Sequence, residues 1–202
     1  PMICNERIQM LRNGKWQMMT EPINYDRPIS GVSLAGSFAA MWCMENKEEQ
    51  IGLIPCAEGG SSIDDWSIEK ILFKNAIIQA KFAMQNSNLI AILWHQGESD
   101  RAYGDKYYEN LKAVVAYVRN HLSEKTGEDY SKLPFIFGTV ARKNKQYGSE
   151  VEEAMKRLAK EDKNAYLIDM SDAELMGDRL HFNQNSAEYL GKQMYEQIKK
   201  LR

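Results

Sequence analysis

No apolar run among the 202 residues approaches the ~18 that a membrane-crossing helix needs. Charge of one sign is also lacking. The chain has 26 Lys+Arg against 28 Asp+Glu, net −2, without the basic excess of a general polyanion binder, so nucleic acid is not the expected partner. Cysteine is scarce. Cys4, Cys43 and Cys56 are odd in number and show no CxxC or zinc spacing. That usage fits a reduced, cytoplasmic compartment, with Cys56 as a small core residue. Neither GxGxxG nor GxxxxGK[ST] occurs, so no phosphate-binding fingerprint is present. Repeats, low-complexity segments and linkers are missing too, and a single domain over residues 1–202 is expected. The opening Pro1-Met2-Ile3-Cys4 has neither an initiator Met nor a signal-peptide n-region, as expected of a chain lacking its true start.

What is present is globular: 44% hydrophobic and 27% charged residues, enough for a substantial core. Four short apolar runs read as buried strands: Ile51–Pro55, Leu89–Trp94, Leu133–Val140 and Ala165–Asp169. Helical periodicity lies around them. Leu34, Phe38, Met41 and Trp42 share one face; Ile71, Ile78 and Phe82 mark a helix starting near Asp64 or Asp65. Tyr108, Leu111, Val115, Val118 and Leu122 mark a third, and Val151, Ala154, Met155 and Leu158 a fourth. Leu190, Met194, Ile198 and Leu201 mark the last, with Ser186 as the expected N-cap. Asn5 to Pro28 reads as a polar loop with no clear opening strand. Alternating strands and helices indicate an α/β fold whose parallel sheet is covered on both faces. Ligands bind such sheets at the C-terminal ends of the strands, so the loops leaving each strand are where chemistry is sought.

Three of those loops carry candidate groups. Cys56-Ala57-Glu58-Gly59-Gly60-Ser61-Ser62 follows the first run; its paired glycines serve either as a tight strand-to-helix turn or as backbone N–H donors close to a ligand. His95-Gln96-Gly97-Glu98-Ser99-Asp100 follows the second. It is either a solvated loop or a polar cluster in which Gln96 aims an amide N–H at an oxyanion and Glu98 holds a neighbour. A metal site of His95, Glu98 and Asp100 lacks a recognisable ligand spacing. Asp178-Arg179-Leu180-His181 precedes the last helix. Taken alone, this common pattern is structural; as a pair, the carboxylate can hold imidazole Nδ1 and leave Nε2 as a base. His121 lies on a helix, where a surface role is expected. Together the loops supply an acyl-transfer site short only of its nucleophile.

Trp94-His95-Gln96-Gly97-Glu98-Ser99-Asp100, the run from Ile51 to Ile63, and Asp178-Arg179-Leu180-His181-Phe182 resemble the SGNH-hydrolase superfamily. Within it they are similar to the sialate O-acetylesterase / carbohydrate esterase family 6 group, especially acetylxylan-esterase-like members. The stretch from Asn5 to Leu11, through Tyr25-Asp26-Arg27, resembles that family's early region. The resemblance implies a three-layer α/β/α sandwich of flavodoxin-like type and a serine esterase that removes acetyl groups from a carbohydrate, without cofactor or metal. His181 would be the general base, Asp178 its orienting partner, and Gln96 an oxyanion donor. Gly59 or Gly60 would supply a second donor, Gly59 being favoured, and Glu98 would support the site. The family's nucleophile lies in a Gly-Gln-Ser-Asn motif after the first strand, and no such motif occurs here; Ser61, Ser62 and Ser99 do not occupy that position. The expectation is therefore an esterase without its first strand and nucleophile, inactive by itself. In the superfamily's sheet order that strand runs between Ile51–Pro55 and Leu89–Trp94, and its removal would leave those two ~9–10 Å apart. The rival readings are a non-catalytic sugar-binding protein and a metal-dependent hydrolase using His95, Glu98 and His181.

Overall fold

The computed structural model describes residues 6–28 and 30–202, with Asp105 described by its backbone alone; Cys4 lies outside the described residues. The strand β5 (Phe135–Gly138) shows why the fold has two covered faces. Phe135 and Phe137 enter one apolar cluster, and Ile136 between them enters another, as the two-residue period of a strand requires. β5 lies centrally in a parallel sheet of three, between β4 (Ile92–Trp94) and β6 (Ala165–Ile168).

A second sheet of three has the order β2-β1-β3, in which β1 (Ile8–Arg12) pairs antiparallel with β2 (Lys15–Met18) and parallel with β3 (Ile51–Leu53). The opening segment is thus not a loop, correcting the sequence reading. Asn13 and Gly14, at φ 51° and 68°, make the two-residue turn between Arg12 and Lys15. Both central residues have positive φ, the turn whose twist suits a tight hairpin and for which Asn-Gly is the favoured pair.

One helical layer joins the two sheets. α1 (Leu34–Glu45) places Phe38, Ala39, Trp42 and Cys43 in the cluster that also holds Ile8, Met10, Ile51 and Leu53. α5 (Gln184–Lys199) adds Leu190, Met194 and Ile198 to the same cluster beside Ile136. The helices approach so closely at Gly191 that a Cβ there would stand 2.0 Å from the Leu34 carbonyl oxygen and 2.1 Å from Ser37 Oγ. Ser37 Oγ in turn donates to the Glu188 carbonyl at 2.9 Å. The cap of α5 is Asn183, whose side chain accepts from Ser186 N–H, so Ser186 sits inside the helix rather than at its cap.

The other layer holds α2 (Ile71–Ala83), α3 (Gly104–Thr126) and α4 (Ser149–Glu161), with Tyr107, Leu111, Val115, Val151, Met155 and Leu158 packed on Phe135 and Phe137. α2 differs from expectation. Residues 63–66 form a separate 3-10 turn, and Phe73 and Ile77 face inward while Ile71, Ile78 and Phe82 are 75%, 62% and 39% exposed. The result is the three-layer α/β/α arrangement, divided into two sheets. Among the described residues, β3 and β4 each end a sheet and share no hydrogen-bonded ladder. The residues entering β3, β4 and β5 (Gln50, Ile90 and Pro134) line one cavity of about 500 Å³ together with Trp42, whose buried indole N–H has no partner among the described residues.

Candidate active site

The loop between β6 and α5 presents Asp178 and His181 as a bonded pair. Asp178 Oδ1 accepts the backbone N–H groups of Leu180 and His181 at 2.9 and 3.1 Å, closing a tight turn with Arg179 at φ 57°. The turn delivers Oδ2 to 2.6 Å from His181 Nδ1. That hydrogen bond first, and the two backbone donors after it, hold the Asp178 carboxyl well below the usual carboxylate range. Nδ1 is therefore fixed as the protonated nitrogen, and Nε2, which has no partner among the described residues, is the basic one. The loop after β5 braces this turn: Asn144 Nδ2 donates to the Leu180 carbonyl at 2.8 Å and Lys145 Nζ to the Asp178 carbonyl at 3.1 Å. Neither brace was legible in the sequence, because Asn144 and Lys145 belong to no pattern and meet the turn only through the fold.

The loop leaving β4 carries two buried polar pairs. His95 Nε2 lies 3.3 Å from Glu98 Oε1, and the Phe182 ring covers the imidazole at 4.6 Å between centroids. Burial alone would lower the pKa of His95, but the Glu98 carboxylate outweighs it and the pKa is raised. Burial likewise acts to raise Glu98, yet the charge and hydrogen bond of His95, with a smaller contribution from His181, leave it lowered. Each partner thus favours the charged form of the other, and Glu98 lies within electrostatic reach of the catalytic candidate His181.

The second pair changes the reading of Gln96. Its Nε2 donates both hydrogens, to the Ser61 carbonyl at 3.0 Å and to Asp100 Oδ2 at 2.5 Å, so no amide hydrogen is left for an oxyanion. Flipping the amide would set oxygen against oxygen at both contacts. Among the described residues, the group left without a partner is the buried Oε1, an acceptor. Asp100 also accepts Ile63 N–H at 2.9 Å, and burial raises its pKa despite these donors. Asp100 is thus committed to structure rather than to a metal shared with His95 and Glu98, and no group of three metal-ligating side chains occurs among the described residues.

In the glycine loop, Gly59 N–H donates to Asp26 Oδ2 at 2.6 Å. The favoured backbone donor is therefore occupied, whereas Gly60 N–H has no partner among the described residues. Ser99 Oγ donates to the Gly60 carbonyl at 3.1 Å, joining this loop to the one that holds Glu98. The loop serines are engaged elsewhere than His181: Ser61 Oγ donates to the Glu58 carbonyl at 2.8 Å, and Ser62 Oγ to Asp65 Oδ2 at 2.8 Å. Burial pushes the Cys56 thiol up to about 11, which keeps it protonated and poorly nucleophilic at neutral pH.

This chain is similar in fold and sequence to a known protein. The X-ray structure of the Arabidopsis thaliana protein At4g34215 superposes with a TM-score of 0.86 at 25% identity, covering 98% of this chain and 82% of that one. The same plant protein, described as a probable carbohydrate esterase, is 26% identical over 186 residues, which span 88% of this chain and 68% of the relative. The family model for carbohydrate esterase, sialic acid-specific acetylesterase, matches residues 3–200. With nearly its whole length matched, the chain belongs to that carbohydrate esterase family.

Proposed function

We propose that this chain is the body of a carbohydrate O-acetylesterase of the SGNH type, acting on an acetylated sugar such as a sialic acid or a xylan. The observation that carries the reading is the Asp178–His181 pair, with Nδ1 held at 2.6 Å and Nε2 unengaged. A serine hydroxyl brought to Nε2 would lose its proton to His181 as its oxygen attacks the acetyl carbonyl. Asp178 stabilises the imidazolium that forms. The proton then passes to the departing sugar oxygen, and water activated by the same nitrogen releases acetate. The nucleophile would come from an extended strand seated between β3 and β4. Support for that lies in the edges of β3 and β4, which carry no ladder to one another among the described residues, in the cavity of about 500 Å³ at their entry and in the Trp42 indole N–H within it, which has no partner among those residues.

The test is fluorophosphonate labelling and aryl acetate hydrolysis, with and without a peptide carrying an apolar run followed by Gly-Gln-Ser-Asn. The expected result is labelling of the peptide serine only in the complex, lost with His181→Ala, and at most residual hydrolysis by the chain alone. Labelling of the chain alone that disappears with Ser61→Ala, Ser62→Ala or Ser99→Ala would overturn the added-strand reading. Sugar binding without any labelling would favour a non-catalytic role.

A further inference from the structure

Two consecutive residues ahead of α1 grip two consecutive peptide groups of the glycine loop. Asp26 Oδ2 takes the N–H of Gly59 at 2.6 Å, and its Oδ1 accepts from Ser30 Oγ at 3.1 Å. Arg27 donates to the Gly59 carbonyl through Nε at 3.1 Å and Nη2 at 2.5 Å, and Nη2 also pairs with Glu58 Oε1 at 3.2 Å. The approach is close: a Cβ on Gly59 would meet Asp26 Oδ2 at 2.9 Å and Arg27 Cγ at 3.0 Å. The absence of a side chain at Gly59 is what lets both grips close.

The Gly59 carbonyl and the Gly60 N–H belong to one planar trans peptide, so fixing the oxygen fixes the hydrogen in the opposite direction. A guanidinium on that oxygen also draws electron density from the amide and strengthens its N–H as a donor, as linked hydrogen bonds polarise one another. The hydrogen so treated has no partner among the described residues. Gly60 adopts φ +77°, and nothing lies within 4 Å of where its Cβ would be. Its carbonyl is tied through Ser99 to the loop of Glu98, which feels the charge of His181.

We infer that Arg27 is a positioning residue for ester hydrolysis: through the Gly59 carbonyl it aims and polarises the Gly60 N–H as the backbone donor to the oxyanion. The inference rests on the esterase reading above. It assigns the donor to Gly60 and gives a role to an arginine that otherwise looks like a surface ion-pair partner, its side chain being 54% exposed.

The test uses the ¹⁵N-labelled 202-residue chain, with sodium acetate as the anion and sodium chloride as the control. Acetate should shift the Gly60 amide in the wild type. Arg27→Met should move the Gly60 proton upfield before any acetate is added and weaken acetate binding there about fivefold, the scale of one lost hydrogen bond. Arg27→Lys, which keeps a cationic donor for the carbonyl, should recover part of both effects. Unchanged Asp178 and His181 resonances would establish that the fold is intact in each variant. A Gly60 shift and acetate affinity in Arg27→Met equal to those of the wild type would overturn the inference, as would a wild-type Gly60 amide indifferent to acetate. Either result leaves the esterase reading standing, because that is decided separately by serine labelling. Failure of labelling with a responsive Gly60 would instead sink the esterase reading and with it the role in ester hydrolysis, leaving Arg27 as the residue that aims an anion-binding Gly60 N–H.

Discussion

Gln96 Nε2 donates to the Ser61 carbonyl at 3.0 Å, so a side chain leaving β4 is bonded to the loop leaving β3 although the two strands share no ladder. Ile63 N–H to Asp100 and Ser99 Oγ to the Gly60 carbonyl cross the same space. These polar ties close the C-terminal end of the division between the sheets, while α1 and α5 close one face. Gln96→Met keeps the bulk but removes the donor from two oxygens, one of them on buried Asp100. It should cost about 1–3 kcal/mol in urea denaturation. A midpoint and slope equal to those of the wild type would show that the tie contributes nothing.

The Asp178 carboxyl should titrate below the ordinary ~3.9 of aspartate, because His181 and two backbone N–H groups favour its charged form. Since the folded pKa is lowered, its stabilising contribution is complete above the unfolded value and is lost as pH falls through the folded one. His181→Ala removes the first of those donors. The Asp178 carboxyl ¹³C midpoint should then rise toward the ordinary value. A midpoint that stays put would mean that the backbone turn, not the imidazole, sets the charge.

Glu152 offers the clearest acid signature. Its carboxylate is buried on α4, where Lys156, Tyr147 and Arg142 reach it at 2.7, 2.8 and 3.3 Å. Burial opposes its charge, but these three partners lower its pKa to about 2. Glu152→Gln should destabilise the fold at neutral pH by about 1–3 kcal/mol, reduced from the cost of a fully buried pair because Lys156 and Arg142 are half exposed. The wild-type advantage should persist above ~4.3, the ordinary glutamate value, and fade as pH falls toward about 2. Denaturation curves of both proteins across that range give the check; a gap that widens in acid would contradict the assignment.

Much of this was legible in the sequence where one residue pattern carried the signal alone. The apolar run of β5 is buried on both faces, those of β4 and β6 pack partly buried residues onto both clusters, and α4 obeys its periodicity without competition. α2 was misread because it carries apolar residues on two faces. Ile71, Ile78 and Phe82 align as well as Phe73 and Ile77, and only the packing of Phe73 and Ile77 against Leu122 and Leu133 selects between them. β2 escaped notice because Lys15 to Met18 is largely exposed and lacks the alternation of a half-buried strand, although Asn13-Gly14 was a turn signal that could have found the hairpin. In the site, Asp178 and His181 are three residues apart and could be paired on paper. Asp26 and Gly59 are 33 apart, and no local pattern links them. That contact turns the donor assignment from Gly59 to Gly60.

The division between the sheets makes a prediction for single amides. Ile51 N–H donates to the Arg7 carbonyl on the β1 side, and Ile92 N–H to the Pro134 carbonyl on the β5 side. Backbone N–H groups alternate in direction along a strand, so those of Gly52 and Leu93 point to the opposite edges, which belong to no ladder among the described residues. In the 202-residue chain, Gly52 and Leu93 should exchange hydrogen for deuterium much faster than Ile51 and Ile92, their immediate neighbours. Seating an extended segment between β3 and β4 would give both amides acceptors at once. Adding the Gly-Gln-Ser-Asn peptide should therefore slow Gly52 and Leu93 together while leaving Ile51 and Ile92 little changed. The neighbours serve as the internal control: protection of all four alike would report general tightening of the fold. If Gly52 and Leu93 are already as protected as Ile51 and Ile92 in the chain alone, the two edges are satisfied without an added strand. The nucleophile must then be sought in the loops rather than between the sheets.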